Sequence, residues 1–378
     1  MDKIRYLSKL TDVARLYPFD MRSLETVTAR FPFMANTYCL DLIDWSDPDD
    51  PVRRLIIPSM EEIDNGWGDM DASCESHYQV VPGLQHKYHD TAVMLVTDSC
   101  FGYCRYCFRK RLFTKYRENE ILKDISSAMN YIKDHSEINN VLVSGGDPLM
   151  LRTASLRKVF SALRQIEHVD IIRVGTNAAA FNPFRIIDDP ELPAMISEFS
   201  TAEKRIYFML HFSHINEITP AAIKAVNILL KSGAILCNQT PLLRGVNDDP
   251  RLLAELFKKL ASIGVAPYYV FQVRPTVGNR SYALPLVEAY QIFEESQKYI
   301  AGTAKRARFV MSHSSGKIEV IGLDDSHIYL RYHRSPDPEE NGTLIVARRN
   351  DDGHWLEDFQ IVSTGSLAQT SGSYLPYD

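Results

Sequence analysis

The chain has 378 residues, 45% of them hydrophobic, enough for a sizeable core in one large α/β domain or two to three smaller ones. A net charge of −6, with Lys, Arg, Asp and Glu interspersed, leaves no basic face and argues against a nucleic-acid partner. No apolar run reaches the length of a membrane span, and Met1 to Leu16 lacks the apolar stretch of a signal peptide, so no membrane association and a cytoplasmic location are expected.

In chain order, residues 1–90 read as an N-terminal helical extension followed by a loop that wraps the rest. Asp47–Pro51 (DPDDP) is a turn-rich break, and Met60–Glu75 is acidic with few apolar residues. From 91 to 305, strands alternate with helices. The strands are predicted at Ala92–Thr97, Asn140–Val143, Asp170–Val174, Arg205–Leu210, Ala234–Leu236 and Pro267–Gln272, runs rich in β-branched and aromatic residues. Helical spacing of apolar residues marks Ile121–Ile132, Leu156–Ile166, Ala221–Lys231, Leu252–Ile263 and Leu286–Ile300. Six strands separated by helices imply parallel pairing through right-handed crossovers. The expected fold class is α/β, a barrel or partial barrel with its chemistry at the C-terminal strand ends; a doubly wound open sheet is the competing architecture. Residues 306–378 read as a small β-rich C-terminal cap with strands at Ile318–Ile321, Ile328–Tyr332 and Thr343–Val346, ending in a poorly ordered tail, Gln369–Asp378.

Three of the six cysteines fall within eight residues, in Cys100-Phe-Gly-Tyr-Cys104-Arg-Tyr-Cys107, directly after a predicted strand. Soft thiolates select zinc or iron–sulfur clusters. A structural zinc wants four protein ligands, and no second Cys pair or His-x-x-x-His stands near to complete the set. A [4Fe–4S] cluster on three cysteines leaves one iron open for a small molecule, which is a reason to stop at three. The plainer alternative, three buried thiols in an apolar loop, sits badly with Arg105, Arg109, Lys110 and Arg111 in the same segment. Cys39, Cys74 and Cys237 read as ordinary buried or half-buried thiols. Ser144-Gly145-Gly146-Asp147-Pro148-Leu149 follows the second strand. Its glycines allow close backbone approach, and Asp147 can accept from an ammonium, although an isolated Gly-Asp-Pro is also a common turn.

The CxxxCxΦC spacing, with Tyr106 as the aromatic before the third cysteine, resembles the signature of the radical SAM superfamily. That resemblance implies a [4Fe–4S] cluster on Cys100, Cys104 and Cys107, whose open iron binds S-adenosylmethionine and cleaves it to a 5′-deoxyadenosyl radical. It places Tyr106, Gly145, Gly146, Asp147, His211 and Gln239 near these cofactors. Over roughly residues 30 to 335 the chain is similar to the lysine 2,3-aminomutase family, through Asp50–Pro58, Pro82–Leu84, Cys100–Arg111, Ser144–Leu149, His211–Thr219, Asn238–Asp248 and Pro267–Gly278. The family implies a partial (β/α)6 barrel, pyridoxal phosphate on Lys317, and Arg109 for the carboxylate of a small amino-acid-like substrate. It also implies a reductase or flavodoxin-type electron donor and a possible homo-oligomer.

Several positions depart from the family. Only Gly316 remains of the glycine run before Lys317. Thr91 replaces an arginine for the pyridoxal phosphate group, with Lys87 nearby. Arg274 replaces an aspartate for the ammonium of lysine, a charge inversion that disfavours lysine and favours an acidic or neutral distal group. The zinc cysteines of the lysine enzyme are missing, Asp249 standing at one such position. The expected function is an amino-acid 2,3-aminomutase acting on a substrate other than free lysine. The alternatives are a radical SAM enzyme without pyridoxal phosphate, doing epimerisation, dehydrogenation or another rearrangement, and a non-catalytic zinc-structural or binding protein.

Overall fold

Alternating apolar residues between 79 and 365 build one hydrogen-bonded sheet in the computed structural model, which describes residues 4–18, 20–63, 66–114 and 120–365. Its strands are β1 (Gln79–Val81), β2 (Leu84–Tyr88), β3 (Thr91–Thr97), β4 (Asn140–Gly145), β5 (Ile171–Thr176), β6 (Ile206–Leu210) and β7 (Ile235–Pro241). They continue as β8 (Ala266–Phe271), β9 (Arg308–His313), β10 (Gly316–Leu323), β11 (His327–Arg334), β12 (Leu344–Arg348) and β13 (Ile361–Gly365). Every strand pairs with its neighbour in sequence. From β3 to β9 the pairing is parallel. The margins, β1–β3 and β9–β13, are antiparallel.

The period of two sorts each parallel strand into two faces. Val141 and Val143 on β4 and Ile172 and Val174 on β5 are fully buried. Leu142, Arg173 and Gly175 alternate with them and face a cavity. The helices α1 (Ile125–Asp134), α2 (Thr153–Arg164), α3 (Glu191–Phe199), α4 (Pro220–Lys231), α5 (Pro250–Ser262) and α6 (Leu286–Gln297) fall between these strands. Leu156, Val159, Phe160 and Leu163 give α2 one buried stripe, the spacing of a helix packed on a sheet. Thr219 caps α4 and Asp249 caps α5, each just before a proline at the first helical position. Asp249 thus has a structural task of its own, accepting from the amides of Arg251 and Leu252.

The sequence reading misses three pieces of this architecture. The extension before residue 90 has its short helices, such as Pro51–Ile56, but it also donates β1 and β2 to the sheet. Arg308–His313 is a seventh parallel strand, beside β8, where a change of pattern was expected. The strands expected as a separate β-rich cap continue the same ladder. The expected tail Gln369–Asp378 lies outside the described residues.

The sheet curls until side chains of its two margins meet. Lys87 Nζ on β2 donates to the carbonyl of His313 on β9 (2.6 Å), and the Tyr78 hydroxyl donates to the carbonyl of Ser314 (2.9 Å). Arg334 on β11 reaches the Asp90 carboxylate and the Thr91 hydroxyl. Among the described residues no backbone ladder joins these margins, so side chains alone bridge them.

Candidate active site

The loop after β3 carries Cys100, Cys104 and Cys107. Its cations are buried: Arg105 is 2% exposed and Arg111 3%. Such charges need partners, and the acidic segment Met60–Glu75 supplies them. Arg105 forks onto Glu62 through Nε (2.9 Å) and Nη2 (2.7 Å) and donates to the carbonyls of Phe31 and Pro32. Lys110 Nζ lies 3.9 Å from the same carboxylate, and burial lowers its pKa to about 8. Glu75 accepts from Arg109 Nε (2.8 Å) and Arg111 Nη2 (2.6 Å). Burial alone would raise Glu75, but the two guanidinium groups outweigh it and hold its carboxyl well below the usual range. The wrapping segment is therefore the counter-charge that seats the cysteine loop.

The Ser144–Leu149 motif holds the other side of that loop. Gly145 has φ +126°, and a Cβ there would lie 2.2 Å from the Thr97 carbonyl oxygen; one on Gly146 would lie 2.3 Å from that of Ser99. The Gly146 and Asp147 amides donate to these same carbonyls at 2.6 and 2.7 Å. The close approach expected toward a ligand is thus made to the start of the cysteine loop. Asp147 lines the cavity and also has partners within the chain. Its carboxylate accepts from the Thr176 hydroxyl (2.7 Å) and the amides of Asn177 (2.7 Å) and Leu149 (2.9 Å), so it clamps the ends of β4 and β5 together. Burial raises its pKa to about 6 despite these donors. Asn177, which sequence reading did not single out, donates through Nδ2 to Cys104 Sγ (3.4 Å), while its Oδ1 is buried with no partner.

All twelve site residues expected from the sequence line one cavity of about 340 Å³ at the C-terminal strand ends. The three cysteines, Tyr106 and Arg109 come from the loop after β3; Gly145, Gly146 and Asp147 come from the end of β4. His211 follows β6, Gln239 is on β7, Arg274 follows β8 and Lys317 is on β10. Burial raises the pKa of all three cysteine thiols. Tyr106 is fixed by its hydroxyl against Ser213 Oγ (3.2 Å) and its carbonyl against Asn279 Nδ2 (2.8 Å). Burial and Arg109 lower His211 to about 4, so it is neutral at physiological pH.

The cavity wall is strongly cationic. Lys87, Arg109, Arg173, Arg274, Lys317 and Arg334 face two carboxylates, Glu75 and Asp147. Four of the cations have partners. Arg109 holds Glu75 and Ser144 Oγ (3.0 Å), Arg173 holds Asn140 (2.8 Å), Lys87 holds the His313 carbonyl, and Arg334 holds Asp90 and Thr91. Arg274 lies 3.8 Å above the Phe108 ring, with Nη1 buried and without a hydrogen-bond partner. Lys317 Nζ sits 4.2 Å from the Tyr269 ring centroid. Burial, with Arg173, Arg334, Arg274 and Lys87 adding repulsion, pushes its pKa well below the ordinary lysine value.

The family model described as "Radical SAM superfamily" matches residues 94–257. A protein of Aquifex aeolicus (strain VF5) named "Putative L-lysine 2,3-aminomutase" is 48% identical over 358 residues, covering 94% of this chain and 95% of that one. The chain belongs to the lysine 2,3-aminomutase-like family of radical SAM enzymes. The L-lysine 2,3-aminomutase of Clostridium subterminale is 36% identical over 70% of this chain and 62% of its own length. The glutamate 2,3-aminomutase of Clostridioides difficile (strain 630) is 31% identical over 80% of this chain and 70% of its own.

The family implies an iron–sulfur cluster and S-adenosylmethionine, and the residues present fit both. The three half-buried thiols line the same cavity as Asn177, whose orphaned Oδ1 is a polar atom that needs a donor. Among the described residues no three His, Cys, Asp or Glu side chains are grouped to hold a single metal ion. Three thiols facing a shared cavity suit a polynuclear cluster, whose irons lie apart. The Thr91 hydroxyl lies 3.2 Å from Arg334 Nη2, so a guanidinium from the far margin stands beside it. Glu62, Glu75, Asn177, Arg173 and Arg334 escaped sequence reading. For Asn177 and Arg173 the usable signal was their place at and near the end of β5, beside the strands that carry the motifs.

Proposed function

We propose that this curled sheet works as a partial (β/α)6 barrel of the radical SAM type and that the chain is an amino-acid 2,3-aminomutase acting on a substrate other than free lysine. The observation that carries the reading is the convergence of the three cysteines, Arg109 and a deprotonation-prone Lys317 on one cavity. Cys100, Cys104 and Cys107 would hold a [4Fe–4S] cluster with S-adenosylmethionine on its open iron, and Lys317 would hold pyridoxal phosphate. These groups supply, when bound, a 5′-deoxyadenosyl radical and an aldehyde that condenses with amines.

The chain's own residues do the rest. Lys317 gives up its ammonium proton more readily than an ordinary lysine, because burial and the neighbouring cations disfavour the charged form. Lys87, Arg173 and Arg334 give the phosphate of pyridoxal phosphate a cationic seat despite the loss of arginine at Thr91. Arg109, held by Glu75 through Nε and Nη2 and by Ser144 through Nη1, would present its positive charge to the substrate carboxylate. Neutral His211 and Gln239 add hydrogen-bonding groups without charge. Phe108, Phe113 and Phe271 line the same cavity and exclude water from a reactive site. A one-electron donor of the reductase or flavodoxin type completes the cycle.

The test is anaerobic reconstitution with iron, sulfide and pyridoxal phosphate, then incubation with S-adenosylmethionine, a reductant and candidate amino acids. The expected result is 5′-deoxyadenosine formation that depends on the amino acid, together with a β-amino acid product. The pyridoxal absorbance should disappear in Lys317→Ala and the iron in Cys104→Ala. 5′-Deoxyadenosine formation with no pyridoxal absorbance in the unaltered protein would replace this reading with a pyridoxal-free radical reaction.

A further inference from the structure

We infer that Asn177 is a positioning residue of the iron–sulfur site: its Nδ2 donates to the Cys104 sulfur and so raises the reduction potential of the cluster held there, while its Oδ1 receives an N–H or O–H donor of S-adenosylmethionine. The inference rests on the iron–sulfur reading of the same cavity and holds whichever amino acid is the substrate.

The sulfur dictates which end of the amide faces it. Asn177 Nδ2 lies 3.4 Å from Cys104 Sγ. A thiolate bound to iron accepts hydrogen bonds and donates none, so only the NH2 end of an amide suits it. Donation to a cluster sulfur favours the reduced, more negative state and raises the potential. An amide does this without adding a charge to the cavity. The backbone holds the side chain to the task. The Asn177 amide donates to the Asp147 carboxylate (2.7 Å), and its carbonyl accepts from the amides of Ala180 (3.0 Å) and Phe181 (2.8 Å). With its main chain tied on both sides, the side chain is preorganised beside the cysteine loop.

The other end of the amide is an acceptor in want of a donor. Both carboxylates of the cavity wall are engaged. Glu75 is spent on Arg109 and Arg111, and both Asp147 oxygens accept from the Thr176 hydroxyl, with the amides of Leu149 and Asn177 added. A ligand donor arriving beside the cysteines therefore finds neither carboxylate free. Among the described residues that line the cavity, Ser73, Asn177 and Arg274 each carry a buried polar atom without a hydrogen-bond partner. The Arg274 atom is itself a donor and cannot receive one. Of the other two, Asn177 also touches a cysteine sulfur. Leaving such an acceptor dry and unpaired is costly, and a native cavity keeps one where a ligand completes it.

Two measurements on the full chain, reconstituted anaerobically with iron and sulfide, test this without turnover: a redox titration followed by electron paramagnetic resonance, and isothermal titration with S-adenosylmethionine. Asn177→Ala removes the donor and the acceptor, whereas Asn177→Asp removes the donor and keeps acceptor oxygens. Without S-adenosylmethionine, the potential of Asn177→Ala should fall by about a tenfold change in the reduction equilibrium, ~59 mV for one electron. Asn177→Asp should fall further, because it adds a negative charge beside the sulfur. S-Adenosylmethionine should bind roughly tenfold more weakly to Asn177→Ala and keep most of its affinity for Asn177→Asp. Full iron content in Asn177→Ala with an unmoved potential would overturn the inference, as would unaltered affinity for S-adenosylmethionine. The Asn177→Ala result decides the matter if Asn177→Asp fails to hold iron. An unaltered protein that binds no iron would sink the iron–sulfur reading and this inference with it; bound iron with an unmoved potential sinks the role of Asn177 alone.

Discussion

Glu62 and Glu75 each answer two cations of the cysteine loop, at distances along the chain that no motif records: 43 residues separate Glu62 from Arg105 and 34 separate Glu75 from Arg109. The cysteines, Arg109 and Lys317 were legible because their meaning lies in local wording. Their counter-charges were not, because only the fold chooses which of many acidic residues meets which arginine. Removing one buried partner strands the other, so Glu62→Ala should cost about 3–5 kcal/mol in urea denaturation, the penalty typical of a broken buried pair. A loss below ~1 kcal/mol would show that Arg105 is held by the Phe31 and Pro32 carbonyls alone.

Lys317 and Lys87 make the opposite contribution. Burial depresses both, Lys87 to about 8. A lysine whose folded pKa lies below its unfolded value binds fewer protons folded than unfolded between the two. Stability from these groups therefore rises with pH from about 8 toward the unfolded lysine value and is diminished below it. Lys317→Met removes one such group in an apolar, aromatic setting. Its melting temperature near neutral pH should exceed that of the unaltered protein by a few degrees, with a flatter rise above pH 8. A lower melting temperature at every pH would contradict the depressed lysine.

At the scale of elements, the end of β4 is where sequence reading came closest and still missed the purpose. The paired glycines were visible, and their need for room was visible. What occupies the room is the backbone at Thr97 and Ser99. Gly146→Ala should therefore push the cysteine loop off its seat with the sheet left whole. Iron bound after anaerobic reconstitution should fall below about half of the unaltered value with an unchanged far-ultraviolet dichroism spectrum, a local clash of backbone and Cβ being the cause. Full iron content in this variant would mean that the loop tolerates the shift. Strand β9 was hidden for another reason. Arg308–His313 carries an arginine, a serine and a histidine in six residues, so its apolar run is too short to announce a central strand.

At the scale of the whole molecule, the parallel order was readable from the alternation of strands and helices, because that pattern has few solutions. The curl was not. It depends on contacts such as Lys87 with His313, 226 residues apart, and Arg334 with Asp90. Arg334 joins the two margins and lies beside Thr91, in the cavity where we propose that pyridoxal phosphate is seated. Arg334→Ala should weaken pyridoxal phosphate binding by roughly tenfold in an absorbance titration, the worth of one charge-assisted contact, and leave iron content unchanged. Unaltered binding would assign the phosphate to Lys87 and Arg173.

The seam between the margins has a further consequence for how the site is filled. A closed ladder of backbone hydrogen bonds would have to be torn, strand by strand, to admit anything as large as a nucleoside or a pyridoxal ring. Here, the bonds recorded across the gap run from three side chains, Lys87, Tyr78 and Arg334. Parting them costs about 0.5–1.5 kcal/mol for a neutral contact and about 1.5–3 for a charged one. Lys87 and Arg334 stand on opposite lips, so an anion between them would meet a cation from each side.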